Sequence, residues 1–289
     1  MADDSDEFLK LFDLQEIRRD VFLGAGPRTH WQRVFGGLAI SQALTAATRT
    51  VDAAKAVHSM HSYFLLPGKT SGPIEYKVER LRDGASFASR QCRAIQDGKD
   101  IFVLMASYHA SETGFEHSRE MPDVPPPESL QSFVELQGLF QPPRTRSIFE
   151  YFAGKPPLEF RPVQPGRYIG ADAAKGGPSK QQTWFKVVVP LPNEPVLHQA
   201  ALAYASDMTL LDCTLVSHGR SVTDGSMQPA SLDHTIWFHR PFRADEWLLY
   251  SQDSPNASGA RGLAFGYIHT RNGELVATVA QEGLIRIRR

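Results

Sequence analysis

The stretch HQAALAYASDMTLL, residues 198–211, is an alanine-rich apolar run interrupted by a single acid, Asp207. Ala203, Tyr204, Leu210 and Leu211 stand three or four residues from it, a spacing that on a helix puts them on its own face. That face is apolar. A carboxylate there must be paired, neutralised or used, because burying it unpaired costs several kcal/mol. Outward from this run, the chain reads SLDHTIWFHRPF (231–242), then strand-like EWLLYSQD (246–253) and GARGLAFGYIHT (259–270). An Asn272-Gly273 turn then leads into ELVATVAQEGLIRI (274–287).

The same order occurs earlier. An apolar helix candidate, GGLAISQALTAATRTV (36–51), precedes HSMHSYFLLPG (58–68), IEYKVERLRD (74–83), SFASRQCRAIQ (86–96), an Asp97-Gly98 turn and DIFVLMASYHA (100–110). Asn-Gly and Asp-Gly between alternating strands mark two-residue hairpins. Each half is therefore one long helix followed by antiparallel strands, an α+β layer in which the sheet wraps the helix. The small residues along both helices permit that close approach. The pattern is an internal duplication.

Eleven of the 20 prolines fall between Pro122 and Pro178, a density that opposes a continuous helix or a central strand. The expected organisation is an N-terminal repeat over 1–117, a proline-rich junction over 118–180 and a C-terminal repeat over 181–289. The alternative is an ordered loop packed on a single domain. Within the junction, SLQSFVELQGLF (129–140) is able to form one short helix.

A net charge of −1 over 289 residues gives no footprint for nucleic acid and no polybasic membrane patch. Two cysteines, Cys92 and Cys213, cannot build a disulfide framework or a four-cysteine zinc site, and they suit a reducing compartment. The acidic start MADDSDEFLKLFDLQ lacks a signal-peptide pattern. No run approaches the ~18 apolar residues of a membrane span, and IRIRR is not a Ser-Lys-Leu-type address. A soluble cytoplasmic protein is expected.

If the last strand alternates, Leu275, Ala277, Val279, Gln281, Gly283, Ile285 and Ile287 share a face, with Gln281 its one polar member. In the segment at 231–242, Ser231, Asp233, Thr235 and Trp237 share one face, and Leu232, His234, Ile236 and Phe238 the other. The pattern leaves open which is inward, and Ser231 alone fits a hydroxyl satisfying a turn. Overlaying the halves sets Asp207 against Thr45, Ser231 against Val57 and Gln281 against Ala106. One repeat thus carries a polar set that its twin lacks. A carboxylate, a hydroxyl and an amide can fix one water, with the carboxylate as proton acceptor. They then need a reactive electrophile such as a thioester carbonyl. Its oxygen needs donors, which a helix N-terminus offers. Gly36 and Gly37 open the first helix, and Gly37 N–H is the candidate oxyanion donor; two glycines easing helix–sheet packing is the competing reading.

As a set, RVFGGLAISQAL, VHSMHSYFLLPG, VERLRDGASFASR, YASDM, LDHTIWFHRPF, EWLLYS, ARG and VATVAQEG run in order from about Phe8 to Gly283. On them the chain resembles the acyl-CoA thioesterase II family. The resemblance implies a tandem (double) hotdog fold, each repeat an antiparallel sheet around a long central helix. It implies catalysis by Asp207, Ser231 and Gln281, which orient and activate water, with serine where bacterial relatives usually have threonine. It further implies hydrolysis of fatty acyl-CoA to free fatty acid and CoA without metal or redox cofactor, in a homo-oligomer (dimer or tetramer), as part of fatty acid metabolism. CoA phosphates favour arginine or lysine; Arg82, Arg90 and Arg261 are the candidates by position.

Other signals are weaker. His58 and His61, three apart on a strand, face opposite sides and make a poor metal pair. They, like His234 and His239, read as structural hydrogen-bonding residues. No G-x-S-x-G elbow, G-x-G-x-x-G or P-loop is present, and Cys213 reads as a core residue. The rival readings are a hotdog hydratase or dehydratase of acyl thioesters, which needs a histidine paired with an acid, and a non-catalytic acyl-CoA-binding protein.

Overall fold

The computed structural model describes residues 8–25, 33–136, 157–168, 177–222 and 224–288. Among the described residues, two α-helices of more than ten residues, α1 (Gly36–Thr48) and α2 (Pro195–Ser206), accompany thirteen strands. In the first half these are β1 (Gln15–Arg18), β2 (Val21–Gly24), β3 (Lys55–Phe64), β4 (Ile74–Asp83), β5 (Phe87–Gln96) and β6 (Lys99–Ala110). After them come β7 (Leu158–Pro162), β8 (Lys180–Val187), β9 (Met227–Ser231), β10 (Asp233–Phe238), β11 (Leu248–Ser258), β12 (Arg261–Thr270) and β13 (Leu275–Ile287). The second half of the short helix candidate at 129–140 lies outside the described residues; its first half forms one helical turn, Phe133–Leu136.

All strands join one antiparallel sheet, in the order β1-β2-β4-β5-β6-β3-β10-β13-β12-β11-β8-β7, with β9 also on β13. The seam between repeats is β3 against β10, from Asp233 opposite Tyr63 to Trp237 opposite Ser59. Sealing both edge strands against each other removes two exposed ladders of backbone donors and acceptors. Asp97 and Gly98, both at positive φ, make the β5–β6 hairpin, as their sequence requires. β7 falls inside the stretch expected as a junction. As an edge strand ending at Pro162 it needs no second partner, which reconciles strand pairing with the proline content.

From Gly37 to Ala47 every residue of α1 is buried, and Ala200 to Ser206 of α2 are buried too. Helices apolar all round belong inside a protein. Here the sheet wraps them, and one apolar core runs through both repeats, from Leu38, Ile40 and Leu44 to Met60, Leu202, Tyr204 and Ile236. This is the tandem hotdog architecture. Pro195 presets the first turn of α2.

The two helices meet where α1 begins and α2 ends. A Cβ on Gly37 would overlap the Tyr204 carbonyl oxygen and approach the Phe35 ring to 2.5 Å. The Phe35 and Tyr204 rings pack edge to face with centroids 5.0 Å apart. Glycine is required by this approach, not by its dihedrals. Gly37→Ala is therefore expected to destabilise the fold by about 1–3 kcal/mol through overpacking, measured as a lower urea midpoint at unchanged m-value.

Candidate active site

α2 stops at Ser206, five residues short of Leu211, where the apolar spacing places its end. Ser206 Oγ bonds back to Ala203 O at 3.0 Å, and Asp207 is the C-cap. Beyond it, Gln181 Nε2 donates to Thr209 O at 2.8 Å and Gln252 Nε2 to Thr209 Oγ1 at 2.6 Å. These side chains satisfy the turn and draw the chain out of helical register. Asp207 thus sits past its own helix, where the dipole opposes a negative charge. It also sits beside the start of α1, where the dipole favours one: a Cβ on Gly36 would lie 2.5 Å from its Oδ2.

Gln281, fully buried on β13, donates from Nε2 to Asp207 Oδ1 at 2.6 Å and to Ser231 Oγ at 2.8 Å. Ser231 Oγ lies 3.4 Å from the same carboxylate oxygen. The three side chains selected from the sequence therefore form one cluster. Strand registers place the second-repeat pair opposite apolar counterparts. Ser231 pairs with Gly283 as Val57 pairs with Tyr108, and Thr235 with Ala280 as His61 with Met105. Gln281 then occupies the place of Ala106.

Strict alternation fails at a critical point. Between Ser231 and Thr235 the register against β13 slips by one residue at Leu232, whose N–H bonds Glu282 O while its carbonyl accepts from Phe64 N–H. The slip reverses the side-chain phase. Ser231 and His234, three residues apart, consequently both turn toward Asp207. His234 Nδ1 lies 3.8 Å from Asp207 Oδ1, so a histidine expected only as a structural hydrogen-bonding residue stands at the site. His58, His61 and His239 instead hydrogen-bond hydroxyls of neighbouring strands, Ser107, Thr235 and Thr278.

The Asp207 side chain is 4 % exposed. Burial pushes its carboxyl up to about 6, against the opposing pull of hydrogen bonds from Gln281, the Gly37 N–H and Ser231. Gly37 N–H, the expected oxyanion donor, is thus directed at the carboxylate. Beside the cluster opens a cavity of about 330 Å³, lined by Gly36, Ala39, Phe64, Phe102 and Ser231, with Arg33 among its polar members. The CoA candidates fall elsewhere. Arg90 is 1 % exposed, and all its donors are engaged by Thr50, Arg82 O, Ser89 O and Asp83. It is a structural residue, because a strand arginine facing inward must satisfy its whole fork. Arg261 pairs with Glu282, and neither it nor Arg82 lines the cavity. Among the described residues, no group of three or more His, Cys, Asp or Glu is placed to hold a metal ion, and no helix is long and apolar enough to cross a membrane.

A family model described as acyl-CoA thioesterase matches residues 159–284, and one described as acyl-CoA thioesterase N-terminal domain matches 26–109. Acyl-CoA thioesterase 2 of Haemophilus influenzae is 37% identical over 287 residues, 99% of each chain. The crystal structure of an acyl-CoA thioesterase II, TesB2, from Mycobacterium marinum superposes with TM-score 0.80 at 41% identity, covering 96% of this chain and 97% of that one. A hot dog fold protein of unknown function from Alicyclobacillus acidocaldarius, 19% identical, superposes with TM-score 0.77 over 98% of both chains. That last likeness concerns the fold alone.

A carboxyl that titrates higher in the folded chain than in the unfolded one binds protons more tightly when folded, so stability falls as pH rises from about 4 to about 6. The shift is worth roughly 3 kcal/mol above that window. Asp207→Asn, which keeps the acceptor for Gln281, is expected to raise the melting temperature at pH 8, the gain vanishing toward pH 4 in thermal scans.

Proposed function

The chain belongs to the acyl-CoA thioesterase II family, and on that premise we propose that it hydrolyses fatty acyl-CoA to free fatty acid and CoA with water activated by Asp207. A thioester hydrolase needs a base, a placed water and a donor for the carbonyl oxygen. Gln281 Nε2 supplies hydrogens to both Asp207 and Ser231. This arrangement turns the Ser231 hydroxyl hydrogen toward Asp207 Oδ1 at 3.4 Å and leaves Gln281 Oε1, which has no partner among the described residues, to orient water. Asp207 takes a proton from that water as its oxygen attacks the thioester carbon. The carbon–sulfur bond then breaks, and the departing thiolate recovers the proton from Asp207. General-base assistance of this kind is worth roughly 10²–10⁴ in rate. Gly36, at the first helical position and on the cavity wall, has an N–H without an intrahelical acceptor. It is the donor assigned to the developing oxyanion, since Gly37 N–H already serves the carboxylate.

The observation that carries this reading is the Asp207–Gln281–Ser231 hydrogen-bonded cluster, which meets the cavity at Ser231. A hydratase requires a histidine able to exchange a proton beside an acid; His234 stands beside Asp207, but burial pushes its ring down to about 3. A binding protein has no use for a buried carboxylate held near neutral titration. Cys92 and Cys213 are both buried thiols, which supports a reducing cytoplasmic setting. Tyr63 on β3 and Met105 on the neighbouring β6, both more than a third exposed, support assembly of copies into a homo-oligomer.

Thiol release from acyl-CoA, followed with a thiol reagent, is expected to fall at least ~100-fold in Asp207→Asn; turnover near the wild-type rate refutes the base assignment. In the wild type, kcat/KM is expected to decline below about pH 6, where Asp207 becomes protonated.

Arg33, exposed at the cavity, is the phosphate-binding arginine that the geometry favours over Arg82 and Arg261. Arg33→Ala is expected to raise KM for acyl-CoA several-fold with little change in kcat. Steady-state kinetics that show the same effect for a short acyl thioester lacking the nucleotide argue against it.

A further inference from the structure

β10 brings His234 against the carboxylate; like Asp207 and Gln281 it is not among the residues that line the cavity, which the cluster meets at Ser231. The side chain is completely buried. Hydrogen-bond accounting decides which ring nitrogen carries the hydrogen. The Ser206 hydroxyl has one hydrogen and donates it to Ala203 O at 3.0 Å. With that assignment it accepts in its 2.9 Å contact with His234 Nε2, which assigns the ring hydrogen to Nε2. Nδ1 is left as a bare lone pair with no hydrogen-bond partner among the described residues, 3.8 Å from Asp207 Oδ1. His109, His198 and His269 also carry a ring nitrogen without a hydrogen-bond partner; the one on His234 is set apart by the Asp207 carboxylate it faces. The first repeat makes the point by contrast, since its strand register sets Met60 at the corresponding place beside Ala106, fully buried and without polar atoms to satisfy.

We propose that His234 is a positioning residue for Asp207: its unprotonated Nδ1, fixed by Ser206, accepts the hydrogen bond of the carboxylic acid formed when Asp207 removes a proton from water. This rests on the reading of Asp207 as the base. The proton moves from water to the carboxylate, is shared toward Nδ1 without crossing to it, and returns to the thiolate when the carbon–sulfur bond breaks. His234 stays neutral throughout, because burial pushes its ring down to about 3. While Asp207 is charged, the lone pair repels it; once Asp207 is protonated, the same lone pair stabilises it. The other groups facing the carboxylate do not compete for this role. Tyr250, on β11, donates to Ser206 O at 3.1 Å and is held protonated by burial, with the Asp207 charge adding to that. Gln281 and Ser231 are neutral donors, and α1 presents only glycine backbone.

The test uses the full chain and has two arms. In ¹⁵N-labelled wild-type protein, the His234 ring is expected to show the neutral Nε2–H tautomer from pH 5 to pH 8; an Nδ1–H tautomer or an imidazolium at pH 7 overturns the proposal. In kinetics, His234→Met is expected to lower kcat at least roughly tenfold with KM within about twofold. His234→Asn, whose side-chain oxygen supplies an acceptor, is expected to recover most of the loss. A kcat for His234→Met within twofold of wild type overturns the proposal. Should that variant fail to fold, the tautomer measurement on the unaltered chain decides alone. Full turnover in Asp207→Asn removes the underlying reading of the base, whereas loss there with an unaffected His234→Met removes the His234 assignment only.

Discussion

The Asp207 carboxylate sits where the C-terminus of α2 meets the N-terminus of α1, and this meeting constrains much of the surrounding structure. Held beyond its own helix, the acid gains from the second helix's dipole what it loses to the first. That geometry requires the backbones to approach closely, so Gly36 and Gly37 are needed where any side chain would strike Asp207, Phe64, Tyr204 or Phe35. The close approach in turn depends on the sheet wrapping both helices without interruption. The β3–β10 seam supplies this by pairing the two repeats through their backbones.

Duplication gave the two repeats one register and left them free to differ in side chains. At corresponding strand positions the first repeat keeps Val57, Met60 and Ala106 buried in a dry core. The second places Ser231, His234 and Gln281 there, around the acid. The polar cluster is tolerable because nearly every donor in it finds an acceptor; an unsatisfied polar group in such a site costs about 1–3 kcal/mol. Two acceptor atoms in the cluster, Gln281 Oε1 and His234 Nδ1, have no partner among the described residues.

The raised proton affinity of Asp207 follows from the same burial. A carboxylate on the surface is a weak base. One enclosed by α1, β9, β10 and β13 removes a proton more readily, yet three donors keep it ionised near neutral pH. The cavity meets this cluster at Ser231 and Gly36, where α1 begins.

Periodicity and turn chemistry determined a good deal of this protein before any coordinates: two alanine-rich helices, the two-residue hairpin at Asp97-Gly98 and the lone polar residue Gln281 in an apolar row are all local features, whereas the turn at Asn272-Gly273 is longer than two residues, with β12 ending at Thr270 and β13 starting at Leu275. Asp207 was legible because an acid in an apolar run violates the pattern around it, and Ser231 and Gln281 because their counterparts in the duplicate are apolar. The end of α2 was not legible, since side chains of β8 and β11 hold Thr209 out of the helix. Nor was the place of Arg90, which only folding encloses. Above all, tertiary structure decided the role of His234. Alternation puts it on the face opposite Ser231, and a one-residue slip at Leu232, fixed by pairing with β13 and β3, brings both to the same carboxylate. Sequence spacing records phase along an unbroken strand; where the ladder breaks is set by partners far away in the chain.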